Sequence, residues 1–155
     1  MSPRIIDGLD GLRDLVGEHL GYSEWIDVTQ DVIDTFGDVT HDRHWIHMDP
    51  ARAVASGMQS TIAHGYYSLS LIGGLMQQIY RIDPVGTTLN YGIERARLTA
   101  PVPVDSQVRL SMTLDKLTDV GAAVNAYFAC TIEIRGQERP AAVSQIIIRY
   151  HPAGE

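Results

Sequence analysis

A chain of 155 residues, 45% hydrophobic and 20% charged, is long enough to bury a core as one domain without staples. Its formal net charge of −7 argues against non-specific nucleic-acid binding, and a polyanionic ligand would need local arginines such as Arg52, Arg95 and Arg97. One cysteine, Cys130, excludes an intrachain disulfide. With no signal-peptide core and no uninterrupted apolar span, a cytoplasmic protein without a membrane segment is expected.

No repeat, low-complexity tract or linker divides the chain, so residues 1–155 read as one domain. Leu9, Leu12, Leu15 and Val16 recur at helical spacing, which predicts a short amphipathic helix between Asp7 and His19. Tyr22 to Thr29 alternates and reads as a first strand. Thr29 can cap a second helix bearing Val32, Ile33 and Phe36, expected to fail near Gly37. Residues 41–63 are polar and loop-like, with Asp49-Pro50 able to start one helical turn through Val54.

The segment from His64 to Tyr80 carries apolar residues on every side, the pattern of a helix buried all round. Gly73 and Gly74 inside it cost about 1 kcal/mol each against alanine, which predicts close packing against another backbone. The rest is strand-rich. Val108 to Leu114 and Val124 to Ile134 alternate with period 2, and Thr87 to Leu98 and Ala142 to Tyr150 complete the set. Asp119-Val120-Gly121 and Gly136-Gln137-Glu138 supply the turns. The expected architecture is α+β, an antiparallel sheet wrapped around one long central helix. Cys130 falls in the strand pattern and reads as a buried, inert thiol.

His41, His44, His47 and His64 cluster near Asp38, Asp42 and Asp49, and three readings compete. A metal could be held by His41, His44 and His47, although their spacing matches no closed zinc pattern. The residues could equally be satisfied loop groups with no active role. The third reading is an acid/base pair. Asp42 and His47 sit five residues apart at a helix-to-loop exit, where a turn could aim both at one small volume. Hydrating an enoyl thioester needs a positioned water, a base for its proton and an acid for Cα. It also needs donors where enolate charge develops. In the run Thr61-Ile62-Ala63-His64-Gly65-Tyr66, Gly65 opens the buried helix, whose unpaired N–H groups are ready donors to an oxyanion.

Asp42-x4-His47 with Met48-Asp49-Pro50, followed by Ile62-Ala63-His64-Gly65-Tyr66, resembles the MaoC-like dehydratases, or (R)-specific enoyl-CoA hydratases, and within them the NodN-like branch. Asn90-Tyr91-Gly92, Arg95-Ala96-Arg97 and Pro101-Val102-Pro103-Val104 extend the likeness, which covers roughly residues 15–150. The resemblance implies a hotdog fold, a homodimer, and enoyl or 3-hydroxyacyl substrates on coenzyme A or acyl carrier protein, with no cofactor and no metal. Carried over, Asp42 and His47 would hold the catalytic water and Gly65 the thioester oxygen, with His64, Tyr66 and Tyr91 beside the substrate. The acyl chain would run along the central helix. Arg95 and Arg97 either meet the phosphates of coenzyme A or form a solvated face. Two positions depart from the family: His41 stands where glycine commonly precedes the aspartate, and Gly73 where a serine is frequent. An acyl thioesterase and a catalytically silent acyl-binding or partner subunit on the same fold are the alternative functions.

Overall fold

The structure, a computed structural model, describes residues 2–154. The chain opens with β1 (Arg4–Asp7), α1 (Gly8–Arg13), β2 (His19–Tyr22), β3 (Ile26–Val28) and α2 (Gln30–Thr40). Two short helices follow, α3 (Trp45–Met48) and α4 (Pro50–Ala55), then the long α5 (Gly65–Ile79). The remainder is β4 (Tyr80–Asp83), β5 (Thr88–Leu98), β6 (Ser106–Val120), β7 (Ala123–Ile134) and β8 (Ala142–Tyr150).

Six strands form one antiparallel sheet in the order β2-β6-β7-β8-β5, with β3 also paired to β6, while β1 and β4 make a separate parallel pair. The alternation read from the sequence sets its faces. Val108, Leu110, Met112 and Leu114 of β6 and Ala126, Phe128, Cys130 and Ile132 of β7 are buried against α5. Burial also pushes the Cys130 thiol up to about 12, so it stays protonated and inert. Beneath the sheet, Tyr80 and Tyr150 pair their buried hydroxyls at 2.5 Å. No helix among the described residues is long and apolar enough to cross a membrane.

Five expectations change. The first helix is shorter than its apolar pattern, because residues 4–7 pair with β4 and residues 14–17 turn, leaving Val16 exposed. The single strand expected over 22–29 is split into β2 and β3. At the break, the Ser23 amide donates to Leu110 O and the Leu110 amide donates to Ser23 Oγ, both at 2.9 Å, so a side chain replaces a ladder carbonyl. α2 does not fail at Gly37. Glycine is needed there for packing, since a Cβ would lie 2.7 Å from Met48 Sδ and 3.1 Å from the Asp42 carbonyl oxygen. Residues 45–48, read as loop, form α3.

The fifth change concerns α5, which is not covered all round within one chain. Tyr67, Ser68, Ile72, Leu75, Met76 and Ile79 are buried, but Tyr66, Ser70, Gly74 and Gln77 form an exposed stripe. Nor do its glycines meet a backbone: a Cβ at Gly74 would touch nothing within 4 Å, and one at Gly73 only Asn90 Nδ2 at 3.7 Å. The edge strand β5 has no fully buried residue, and Leu89, Tyr91, Ile93 and Leu98 are among its exposed apolar side chains.

Candidate active site

Three chain segments meet at the N-terminus of α5. The first is the exit from α2, where His41 takes a left-handed conformation (φ 61°) and its amide donates to Asp38 O. That turn carries Asp42 back toward the fold. A left-handed φ costs a residue with a Cβ roughly 1–2 kcal/mol, which gives a physical reason for glycine at this position. The His41 side chain is exposed and lines no part of the cavity beside His47. His41→Gly is therefore expected to stabilise the fold by about 1 kcal/mol, net of the extra chain entropy glycine carries when unfolded. A urea or thermal unfolding midpoint checks this, and an unchanged or lower midpoint would refute it.

The second segment is α3, which buries His47 to 8% exposure. His47 Nδ1 lies 2.6 Å from the Ile62 carbonyl oxygen. A carbonyl only accepts, so Nδ1 carries the proton and Nε2 of the neutral ring keeps its lone pair. Gln30 ties this segment to its neighbours. Its Nε2 donates to the His47 carbonyl and to Asp34 at 2.7 Å, and its Oε1 accepts from Thr61 Oγ1 at 2.5 Å. Nothing in the sequence marks Gln30, because its partners lie 17 and 31 residues away.

The third segment is residues 61–64, held in place by Ile62 N to Ile46 O and Ala63 N to Val102 O at 3.1 and 2.8 Å. It delivers His64, 2% exposed, onto the His47 ring, with centroids 3.9 Å apart. His64 Nε2 donates to the Asp42 backbone carbonyl at 2.8 Å. One donor atom each from Asp42, His47 and His64 thus falls within 4.8 Å of the others.

His47 titrates below its ordinary value. Burial is the main cause, the Ile62 hydrogen bond opposes it, and the neighbouring His64 adds to it. A carboxylate with two imidazoles is also a donor set for a divalent transition metal. One nitrogen of each ring donates to a carbonyl, which leaves His47 Nε2 and the buried His64 Nδ1 without a partner among the described residues. The metal trio considered from the sequence does not assemble among the described residues: the ligand atoms that gather with His47 are those of Asp42 and His64, not of His41 or His44.

A cavity of about 200 Å³ lies beside this cluster, lined by His47, Ile62, Ala63, Gly65, Ser68, Leu98, Thr99 and Val102. Gly65 lines it at the start of α5, where the backbone N–H groups of Gly65 and Tyr66 have no acceptor among the described residues. Ser68, one turn into the helix, faces the same space, whereas Ser70 is turned to the Tyr67 carbonyl. A second cavity of about 640 Å³ follows the same helix, lined by Gly73, Met76, Gln77, Tyr80, Asn90 and Tyr150.

Other residues singled out in the sequence lie elsewhere. Tyr66 is 75% exposed. Tyr91 lies beneath the Arg149 guanidinium, 3.8 Å from the ring centroid, and lines neither cavity. Arg95 and Arg97 are exposed in a separate groove with Asp115 and Gln145, and Arg52 stacks on Trp45 at 4.8 Å.

Residues 12–130 match the MaoC like domain family. The 3-hydroxyacyl-thioester dehydratase Z of Mycobacterium tuberculosis is 39% identical over 148 residues, 95% of this chain and 98% of that protein. Nodulation protein N of Rhizobium leguminosarum bv. viciae is 39% identical over 142 residues, 88% of each. Among solved structures, the (R)-hydratase from A. caviae involved in PHA biosynthesis matches with a TM-score of 0.70 at 21% identity, over 86% of this chain and 94% of that one. That likeness is one of fold, the hotdog arrangement.

Proposed function

The chain belongs to the MaoC-like domain family, and from that premise we propose that it reversibly hydrates trans-2-enoyl thioesters to (R)-3-hydroxyacyl thioesters, with Asp42 and His47 as the acid/base pair. The observation that carries the reading is the meeting of the Asp42 carboxylate and the His47 ring beside a helix N-terminus with free N–H groups.

The chemistry follows from the donors and acceptors. His47 Nε2, kept unprotonated by burial, takes a proton from water as the oxygen bonds to Cβ. The displaced π electrons move through Cα onto the thioester oxygen, where the Gly65 and Tyr66 N–H groups stabilise the enolate charge. Collapse of the enolate takes a proton at Cα from the Asp42 carboxyl. Proton transfer from His47 back to Asp42 through solvent resets the pair. A metal-free site suffices for every step.

The acyl chain runs from the His47 cavity along α5 toward the larger cavity at Gly73, where a side chain would narrow the way. Coenzyme A or acyl carrier protein carries the substrate, and cytoplasmic residence accords with a lone, buried thiol. One domain supplies all of these groups.

Homodimer formation belongs to this proposal. One chain leaves a stripe of α5 exposed and the outer edge of β5 unpartnered, and a second copy would cover both. Light scattering is expected to give twice the chain mass, and a monomer at micromolar concentration would remove this part.

Loss of enoyl absorbance with crotonyl-coenzyme A tests the activity. Turnover without release of free thiol, giving the (R) product, is expected. Thiol release would point to a thioesterase. Acyl binding without any turnover, across short and long chains, would point to a silent subunit.

A further inference from the structure

His64 occupies the position that caps α5, yet its side chain makes no capping hydrogen bond. The ring turns instead into the site, between Phe36 on one side (centroids 5.2 Å) and His47 on the other (3.9 Å, 27° between planes). Its Nε2 holds the carbonyl of Asp42 at 2.8 Å, so the proton must sit on Nε2. Asp42 has no other hydrogen bond among the described residues. The loop bearing the carboxylate is otherwise exposed through residues 41–44. One side chain therefore touches both members of the acid/base pair, the backbone of one and the ring face of the other.

We infer that His64 is a positioning residue that sets the separation of Asp42 from His47, holding the first by its carbonyl and the second by stacking. This rests on the hydratase reading of the site. The logic is geometric. The turn is tied on either side of Asp42, by the His41 amide and the Arg43 guanidinium to Asp38. Asp42 itself is held, among the described residues, only by His64, and displacement of its carboxylate by about 1 Å can cost about 100-fold in rate. Stacking also fixes the plane of His47, whose Nδ1 is already anchored at Ile62, so Nε2 has one direction left. A second consequence is electrostatic. The groups facing His64 are His47 and Asp42, with His44 behind His47, its ring centroid 6.4 Å away. Removing the imidazole removes one of the influences that lower the His47 titration.

Two substitutions separate the roles. His64→Phe keeps an aromatic ring against His47 and loses the donor to Asp42. His64→Gln places an amide donor the same number of bonds from Cα and loses the ring. The expected result is a kcat loss of about 100-fold in His64→Phe with KM changed little, and partial recovery of kcat in His64→Gln. In both, the acid limb of the pH–rate profile should move up toward the ordinary histidine value.

The same inference can be read without turnover. In His64→Phe, the His47 ring followed by NMR should titrate at higher pH, and the Asp42 amide should gain fast backbone motion. Folded variants with an unmoved His47 titration and an unchanged Asp42 amide would overturn the inference, even where the wild type proves active. An inactive wild type with both NMR changes present would uphold the positioning role and remove the hydratase reading instead.

Discussion

Asp42→Asn is expected to lower the hydration rate of crotonyl-coenzyme A by roughly 10²–10⁴-fold, the range for losing a positioned proton-transfer group. The substitution keeps size and shape while removing the ability to exchange a proton, together with the carboxylate charge beside His47. Its effect on folding should be small, because Asp42 is exposed and its one hydrogen bond among the described residues runs through its backbone carbonyl, which asparagine retains. Wild-type and variant unfolding curves should therefore nearly coincide while the rates separate. A variant that folds and turns over within about threefold of wild type would take Asp42 out of the chemistry. The comparison also bears on the alternatives. A thioesterase using this carboxylate would lose thiol release instead, and a silent subunit would show no rate to lose.

Where the chain's structure was legible in its sequence, the deciding interactions were local or repetitive. The alternation of β6 and β7 placed Leu110, Met112, Phe128 and Cys130 on one face, and all four are buried. Asp49-Pro50 started a helix, and there the Asp49 side chain accepts from the Arg52 amide at 2.9 Å. The misses share a cause, a distant partner overriding the local pattern. Ser23 breaks the first strand because its hydroxyl answers Leu110, 87 residues away. Gly37 sits inside a helix, and Met48 takes the space a Cβ would fill there. Tyr91 follows a register shift of β5 between Asn90 and Gly92 that the sequence does not mark, and its ring lies against Arg149. The apolar pattern of α5 marks a helix buried all round, while one chain covers only part of it. The proximity of Asp42 to His47 was legible because a spacing of five residues across one turn survives into the fold. The part His64 plays between them was not, since nothing local shows which side of the helix start its ring will take.

Gly65→Ala is expected to cost roughly 10²–10³-fold in kcat, comparable to removing an oxyanion donor. A Cβ at this position would collide with Leu98 Cδ1, the end of a side chain that is half exposed on β5. Leu98 can swing toward solvent in the free chain, so the fold should survive with little loss. The methyl group itself cannot move. It stands at the first turn of α5, on the approach of the thioester oxygen to the Gly65 and Tyr66 N–H groups, and lengthening those hydrogen bonds weakens them where enolate charge develops. The demand for glycine here is steric, since its φ lies outside the left-handed range. A second substitution separates the two consequences. If displaced Leu98 merely plugs the cavity, Leu98→Ala in the Gly65→Ala background should restore the rate. If the methyl group holds the substrate off its donors, the double variant should remain as slow as the single one, and that is the expected result. A Gly65→Ala enzyme with near wild-type kcat would mean that the thioester oxygen finds its donors elsewhere, with Ser68, whose hydroxyl faces the same cavity, as the first group to examine.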